Sequence, residues 1–279
     1  MTFTRTHTVH PAGIGPVDLE VTERGAGHPV LVLHGGAGPT SVDVFADRLA
    51  ARRPARVLTP THPGFGGTAR PEGLRDAAGL AATYGALLEE LQLDDVTVVG
   101  NSIGGWVAAE LTLTGSPRIG GVVLVDAVGI EVPGHPVADV SALTTAQVAE
   151  LSYADPDAFR LGVSTMSPGQ LAALAGNRAA VAVYGGGPSM ADPTLAGRLA
   201  AVTVPTLVLW GDSDRIVDPD YGRAYAEAVP GARFQLLPRA GHLPQVESPD
   251  QLVAAVWQFV EAAGAPSAHG PGQAGTPAG

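Results

Sequence analysis

The sequence predicts a doubly wound α/β fold, a mostly parallel sheet with an inserted helical lid. Three observations predict it. Short β-branched runs lack polar alternation, stretches of helical periodicity separate them, and one Ala- and Leu-rich interval breaks the rhythm.

In chain order, Thr4 to His10 and Val17 to Glu23 alternate around Gly13-Ile14-Gly15-Pro16, which predicts a hairpin at a sheet edge. Val30 to Leu33, Arg56 to Thr59, Val96 to Val99 and Val122 to Val125 read as strands buried on both faces, the habit of parallel sheets. Between them, Ser41 to Arg52, Asp76 to Leu91 and Ile103 to Thr114 carry apolar residues at three-to-four spacing and are long enough for crossover helices. The strand pattern resumes at Thr206 to Trp210 and Arg233 to Leu237, with helices expected at Pro219 to Ala228 and Pro249 to Ala263. The interval 130–200 is broken by Pro156, Pro168, Gly185-Gly186-Gly187-Pro188 and Pro193, so several short helices and no strand are expected there. Its larger members, Tyr153, Phe159, Met166, Tyr184 and Met190, suit either an apolar pocket or simple packing of the lid on the body. Gly and Pro placement near Ala127 to Gly134 and Thr203 to Thr206 suggests hinges. From Gly264 the sequence loses periodicity and apolar content, so 264–279 is expected to be a disordered tail. The expected division is a core of 1–129 and 201–263, a lid of 130–200, and that tail.

Composition narrows the function. The 279 residues, 45% of them apolar and 15% charged, are enough to bury a sizeable core. A formal charge of -11, from 16 Lys and Arg against 27 Asp and Glu, repels phosphate backbones and anionic headgroups, so neither nucleic acid nor a membrane is an expected partner. Cysteine is absent, which excludes disulfides, thiolate metal sites and a Cys nucleophile. Met1 to Val9 lacks the basic start and apolar core of a signal peptide, and no apolar run approaches the ~20 residues of a membrane span. A cytoplasmic protein acting on a small molecule is the expectation, with the oligomeric state open.

Four motifs carry chemistry. Val96 to Val99 runs into Gly100-Asn101-Ser102-Ile103-Gly104-Gly105-Trp106, a strand, a Gly-x-Ser-x-Gly turn and the start of a helix. Small residues at 100 and 104 let the chain double back and present the Ser102 hydroxyl at the carboxyl edge of the sheet. A phosphate-binding turn is the other use of glycines there, but neither G-x-G-x-x-G spacing nor a Walker lysine is present. Leu31-Val32-Leu33 leads into His34-Gly35-Gly36-Ala37-Gly38, a side-chain-poor loop whose amides can approach an oxyanion; Gly36 and Ile103 are the candidate donors, and His34 holds the loop. Leu207 to Trp210 ends in Gly211-Asp212-Ser213-Asp214-Arg215-Ile216-Val217, carboxylates at the edge where Ser102 emerges, so that Asp212, Asp214 or Asp218 is a candidate acid, with Asp126 as a rival from a different strand end. Phe234 to Leu237 ends in Pro238-Arg239-Ala240-Gly241-His242-Leu243-Pro244, which puts His242 on a loop as candidate base. Capping or solvated-loop roles are the common fate of the other carboxylates. His7, His10, His28, His135 and His269 show no metal-ligand pairing.

On these motifs, in the order Ser, Asp, His, the chain resembles the α/β-hydrolase superfamily over about residues 1–262. The resemblance implies the α/β-hydrolase fold, with Ser102 as nucleophile, His242 as base, Asp214 as acid, and Gly36 and Ile103 amides as oxyanion hole. It implies no cofactor and no metal. His62, in Thr61-His62-Pro63-Gly64-Phe65-Gly66-Gly67, resembles a loop that α/β-hydrolases use structurally, which implies packing for it. Cleavage of an ester, lactone or thioester is the first expectation. Gly-Asn-Ser-x-Gly-Gly also resembles the elbow of hydrolases that cleave carbon-carbon bonds in ring-opened aromatic diketones, although those usually carry Trp after the catalytic His where this chain has Leu243. Ser102 in place of Asp argues against haloalkane dehalogenases and epoxide hydrolases, whose nucleophile is a carboxylate. A lyase, cyclase or cofactorless perhydrolase, and a non-catalytic receptor, complete the alternatives.

Overall fold

The computed structural model describes residues 2–159 and 166–264. Its strands are β1 (Thr2–Val9), β2 (Val17–Gly25), β3 (His28–Leu33), β4 (Ala55–Pro60), β5 (Val96–Asn101), β6 (Ile119–Val125), β7 (Thr206–Gly211) and β8 (Arg233–Leu237). They form an 8-stranded sheet in the order β1-β2-β4-β3-β5-β6-β7-β8. β1 and β2 make the edge hairpin, antiparallel from Thr2 opposite Arg24 to Val9 opposite Val17, and β2 is antiparallel to β4. Every other pairing is parallel.

Alternation within the buried strands sends side chains to both faces. On one face Val30, Val32, Val99, Val123, Val125 and Leu209 pack with α1 (Asp43–Arg52) and α9 (Pro249–Ala263), through residues such as Phe45, Leu49, Val256 and Phe259. On the other, Leu31, Leu33, Val98, Leu124 and Trp210 pack with α2 (Ala77–Glu90), α3 (Ile103–Leu113) and α7 (Pro219–Ala228), through Tyr84, Val107, Leu111, Tyr221 and Tyr225. The helix α3 is buried from Ile103 to Thr112, which explains why its sequence is apolar around its whole circumference.

Strand order reverses at β3, which has β4 on one side and β5 on the other. Open α/β sheets bind ligands outside the carboxyl ends of strands at such a reversal. The loop beginning at His34 and the turn at Ser102 leave the sheet there, so the topology sets them side by side.

Between β6 and β7 lie α4 (Thr145–Ser152), α5 (Pro168–Tyr184) and α6 (Leu195–Leu199). Of these, α5 is not short: it runs for 17 residues. Pro168 starts it instead of breaking it, since the first turn needs no proline N–H, and a Ser167/Gln170 capping box closes its amino end. Tyr184 Oη donates to Pro63 O at 2.7 Å, and Asn177 Oδ1 accepts from Gly66 N at 2.9 Å, so α5 is fixed over the loop that follows β4. Arg198 of α6 grips Glu110 of α3 with two bonds of 2.7 Å and reaches Asp192 at 2.7 Å. Gly264 caps α9, and the remainder of the expected tail lies outside the described residues, as does His269. Among the described residues no helix is long and apolar enough to cross a membrane.

Candidate active site

Ser102 links β5 to α3 at φ 56° and ψ −121°, a conformation that costs a non-glycine residue of order 1–3 kcal/mol. The surroundings hold it there. Its N–H donates to Val125 O at 3.0 Å, and its carbonyl accepts from Gly105 N at 2.9 Å and Trp106 N at 3.2 Å. The elbow is tight because a Cβ on Gly100 would stand 2.2 Å from Gly104 O, and one on Gly104 would stand 2.3 Å from Leu33 O. No larger residue fits either place without moving backbone.

Asp214 and His242 meet at the same edge. His242 Nδ1 lies 2.8 Å from Asp214 Oδ2, with the Asp214 side chain wholly buried. A carboxylate only accepts, so this bond puts the imidazole proton on Nδ1 and leaves Nε2 as the free acceptor. Asp214 is itself fixed by Ile216 N at 2.8 Å and Val217 N at 3.2 Å, both on Oδ1. Among the described residues no hydrogen bond joins Ser102 to His242; such contacts are often long without substrate.

The link between the two runs through Asn101. Its Nδ2 donates to His242 O at 3.0 Å and to Val125 O at 3.2 Å, while its Oδ1 accepts from Gln245 Nε2 at 2.9 Å. The residue before the serine therefore fastens the end of β5 to the histidine loop. Glu247 fastens that loop from its other side, accepting from Gly241 N at 2.6 Å and Ala154 N at 2.8 Å. Ser152 O takes the His242 N–H at 2.7 Å, and Leu151 O takes that of Arg215 at 3.1 Å, so the end of α4 positions both loops. Neither Asn101, Gln245, Glu247 nor α4 stood out in the sequence. The only local signal was an amide-bearing residue at the second place of Gly-x-Ser-x-Gly.

On the opposite side of Ser102, a Cβ on Gly35 would stand 2.8 Å from Asn101 Oδ1 and 3.0 Å from Ser102 Cβ, so the glycine loop lies directly against the elbow. Gly36 follows it beneath Val181 of α5, whose Cγ2 would stand 3.1 Å from an added Cβ. Ile103 is the first residue of α3, where an N–H has no partner within the helix. Two buried histidines brace this side. His34 Nδ1 lies 2.9 Å from Gly35 O and its Nε2 accepts from His62 N at 3.1 Å; His62 Nε2 lies 2.8 Å from His34 O and its Nδ1 meets Tyr84 Oη. Burial pushes the His34 imidazole down to about 4 and holds His62 well below its ordinary value, so both are neutral.

The other candidate carboxylates go elsewhere. Asp212 accepts from Ser213 Oγ and Arg239 N on an exposed loop. Asp218 caps α7 through Asp220 N and Tyr221 N, each at 3.0 Å, and its Oδ2 lies 2.8 Å from His135 Nδ1. His135, Asp218 and Asp220 thus do stand together, within 4.8 Å of one another, a pairing that spacing along the chain hides; the group is on the surface. Asp126 is fully buried beside Asp214, accepting from Gly211 N at 2.8 Å. Of the larger residues between β6 and β7, Tyr153 stacks on Phe159 at 5.0 Å, and Tyr184 is spent on Pro63.

A strand-turn-helix serine, a carboxylate-bound histidine and a glycine loop on one sheet edge agree with the family comparison. The model of the alpha/beta hydrolase family matches residues 30–256. The chain belongs to that family. Among curated proteins, it is 25% identical over 259 residues to the 2-hydroxy-6-oxo-6-(2'-aminophenyl)hexa-2,4-dienoic acid hydrolase of Metapseudomonas resinovorans, covering 88% of each chain. Among solved structures, the thermophilic esterase of Thermogutta terrifontis superposes with a TM-score of 0.74 at 25% identity, over 93% of this chain and 99% of that one. The bromoperoxidase of Bacillus anthracis gives the same TM-score of 0.74 at 22% identity, over 92% and 100%, and speaks to the fold alone. Alpha/beta hydrolases with different reactions therefore share this frame, and the reaction has to be argued from the site.

Proposed function

We propose that this alpha/beta hydrolase cleaves a carboxylic ester, lactone or thioester of a small, largely apolar substrate through an acyl-enzyme on Ser102. The observation that carries the reading is the 2.8 Å His242–Asp214 bond at the sheet edge where the strained Ser102 elbow emerges. His242 Nε2 takes the Ser102 proton as the hydroxyl attacks the carbonyl, while Asp214 holds the tautomer and stabilises the imidazolium. The tetrahedral oxyanion is met by the amides of Gly36 and Ile103, aided by the positive end of α3. His242 then returns its proton to the leaving group, and water repeats the sequence on the acyl-enzyme. Acyl transfer by this route calls on no metal or cofactor. Val181 beside Gly36 supports an apolar group next to the oxyanion position.

The relative named as a dienoic acid hydrolase supports a second reading, cleavage of a carbon-carbon bond in a ring-opened diketone. Leu243 after His242 weighs against it. The test is hydrolysis of p-nitrophenyl esters of increasing acyl length alongside loss of the chromophore of 2-hydroxy-6-oxo-6-(2'-aminophenyl)hexa-2,4-dienoate, each with wild type and Ser102→Ala. Ester turnover that depends on acyl length and vanishes in the variant supports the first reading. Faster turnover of the dienoate replaces it with the second.

A further inference from the structure

Asp126 ends β6 at φ 46°, wholly buried, one strand away from Asp214. One of its oxygens is accounted for: Oδ1 accepts from Gly211 N at 2.8 Å. The other, Oδ2, is buried and receives no N–H or O–H from the described residues. Its buried charged neighbour is Asp214: Gly211, whose N–H serves Asp126 Oδ1, accepts from Asp214 N at 3.3 Å, which brings the two carboxyl-bearing residues together on either side of one glycine. Two carboxylates cannot hydrogen-bond, since both only accept, and two negative charges side by side in a buried site repel strongly. A proton between them removes both objections.

We propose that Asp126 is a positioning residue that works as a neutral carboxylic acid, donating from Oδ2 to Asp214 and thereby holding the carboxylate that binds His242. This rests on the serine hydrolase reading above. Asp214 then has each partner assigned: Ile216 and Val217 amides on Oδ1, His242 on Oδ2, and the Asp126 hydroxyl as a further donor. The charged groups that face Asp126 are Asp214, from the loop after β7, and Glu247 of α8 (Pro244–Glu247), with His242 beyond Asp214. Burial first, then the Asp214 charge, push the Asp126 carboxyl well above the ordinary range, in agreement with the geometry. The pair presents a single negative charge to His242.

The experiment compares wild type, Asp126→Asn and Asp126→Ala in pH profiles of kcat/KM and in unfolding equilibria. Asparagine keeps an acceptor for Gly211 and a donor for Asp214. It should retain kcat within about fivefold, with the acid limb set by His242 in place, while alanine lowers kcat tenfold or more at nearly constant KM. If Asp126 were instead ionised, asparagine would remove a charge near His242 and move the acid limb down by about half a unit or more, which overturns the proposal. So would an alanine variant with wild-type kcat. The unfolding measurement needs no substrate. A carboxyl protonated when folded and ionised when unfolded makes the unfolding constant of wild type rise about tenfold per pH unit relative to Asp126→Asn above pH ~4. A pH-independent ratio overturns the proposal even where the alanine variant fails to fold. If no ester or diketone is turned over, the hydrolase reading fails while this slope still reports the proton.

Discussion

A histidine–histidine pair and a histidine–aspartate pair flank Ser102, and they are built for opposite purposes. His34 and His62 are fully buried, and every ring nitrogen of the pair has a partner within the protein. Among the described residues His242 commits only Nδ1, to Asp214, at the edge of the sheet where Ser102 emerges. His34 cannot take up a proton on Nε2 without losing the bond it accepts from His62 N. His242 has an acceptor nitrogen to spare and a carboxylate ready to stabilise the charge. Residue type alone separates nothing here; the number of ring nitrogens already in use does.

The largest effect expected from breaking this contrast is at His242 and Asp214. Asp214→Asn should lower kcat by about 10⁴ while leaving the folded structure intact, because the wrong tautomer then faces Ser102. Steady-state kinetics beside circular dichroism checks both halves. On the other side, proton uptake by His34 acts on stability. Its imidazole sits at about 4 when folded and near 6.5 when unfolded, so below pH 6.5 the unfolded chain binds the extra proton. Stability falls progressively from pH 6.5 to pH 4 by about 3 kcal/mol from this residue, with a further loss from His62. Denaturant titrations across that range would show the loss, and His34→Gln, unable to ionise, should flatten it.

A smaller effect is expected at the connection between the two sides. Asn101→Ala removes the donor to His242 O and strands the Gln245 amide, costing roughly 1–3 kcal/mol in kcat with KM little changed. Equal kcat in this variant would show that the histidine loop keeps its place without Asn101. The smallest effect belongs to Asp212, whose partners lie on an exposed loop; Asp212→Asn should stay within about 0.5 kcal/mol in thermal stability and leave kcat unaltered.

What was legible in the sequence was local. The eight strands, the crossover helices and the four motifs each announce themselves within about ten residues, through β-branched runs, helical spacing and glycines that no other residue can replace. The order in which the strands join then carries Ser102, the glycine loop, Asp214 and His242 to one edge. What was not legible depends on pairings between distant segments. Asn101 reaches His242 across 141 positions and Gln245 across 144, and nothing in either neighbourhood marks the bond. Asp126 could be read as a rival acid but not as a buried carboxyl against Asp214, because that depends on β6 and β7 being neighbours. Pro168 hides the length of α5 in the sequence, because a proline that ends helices elsewhere opens this one at its first turn.

The central claim is that Ser102 is an activated nucleophile, and reaction with a fluorophosphonate probe tests it most directly. Wild type should be labelled in a time-dependent manner, with the adduct located on Ser102 by peptide mass spectrometry, and Ser102→Ala should not be labelled. A folded wild type that resists the probe, or an adduct on any other residue, would contradict the account.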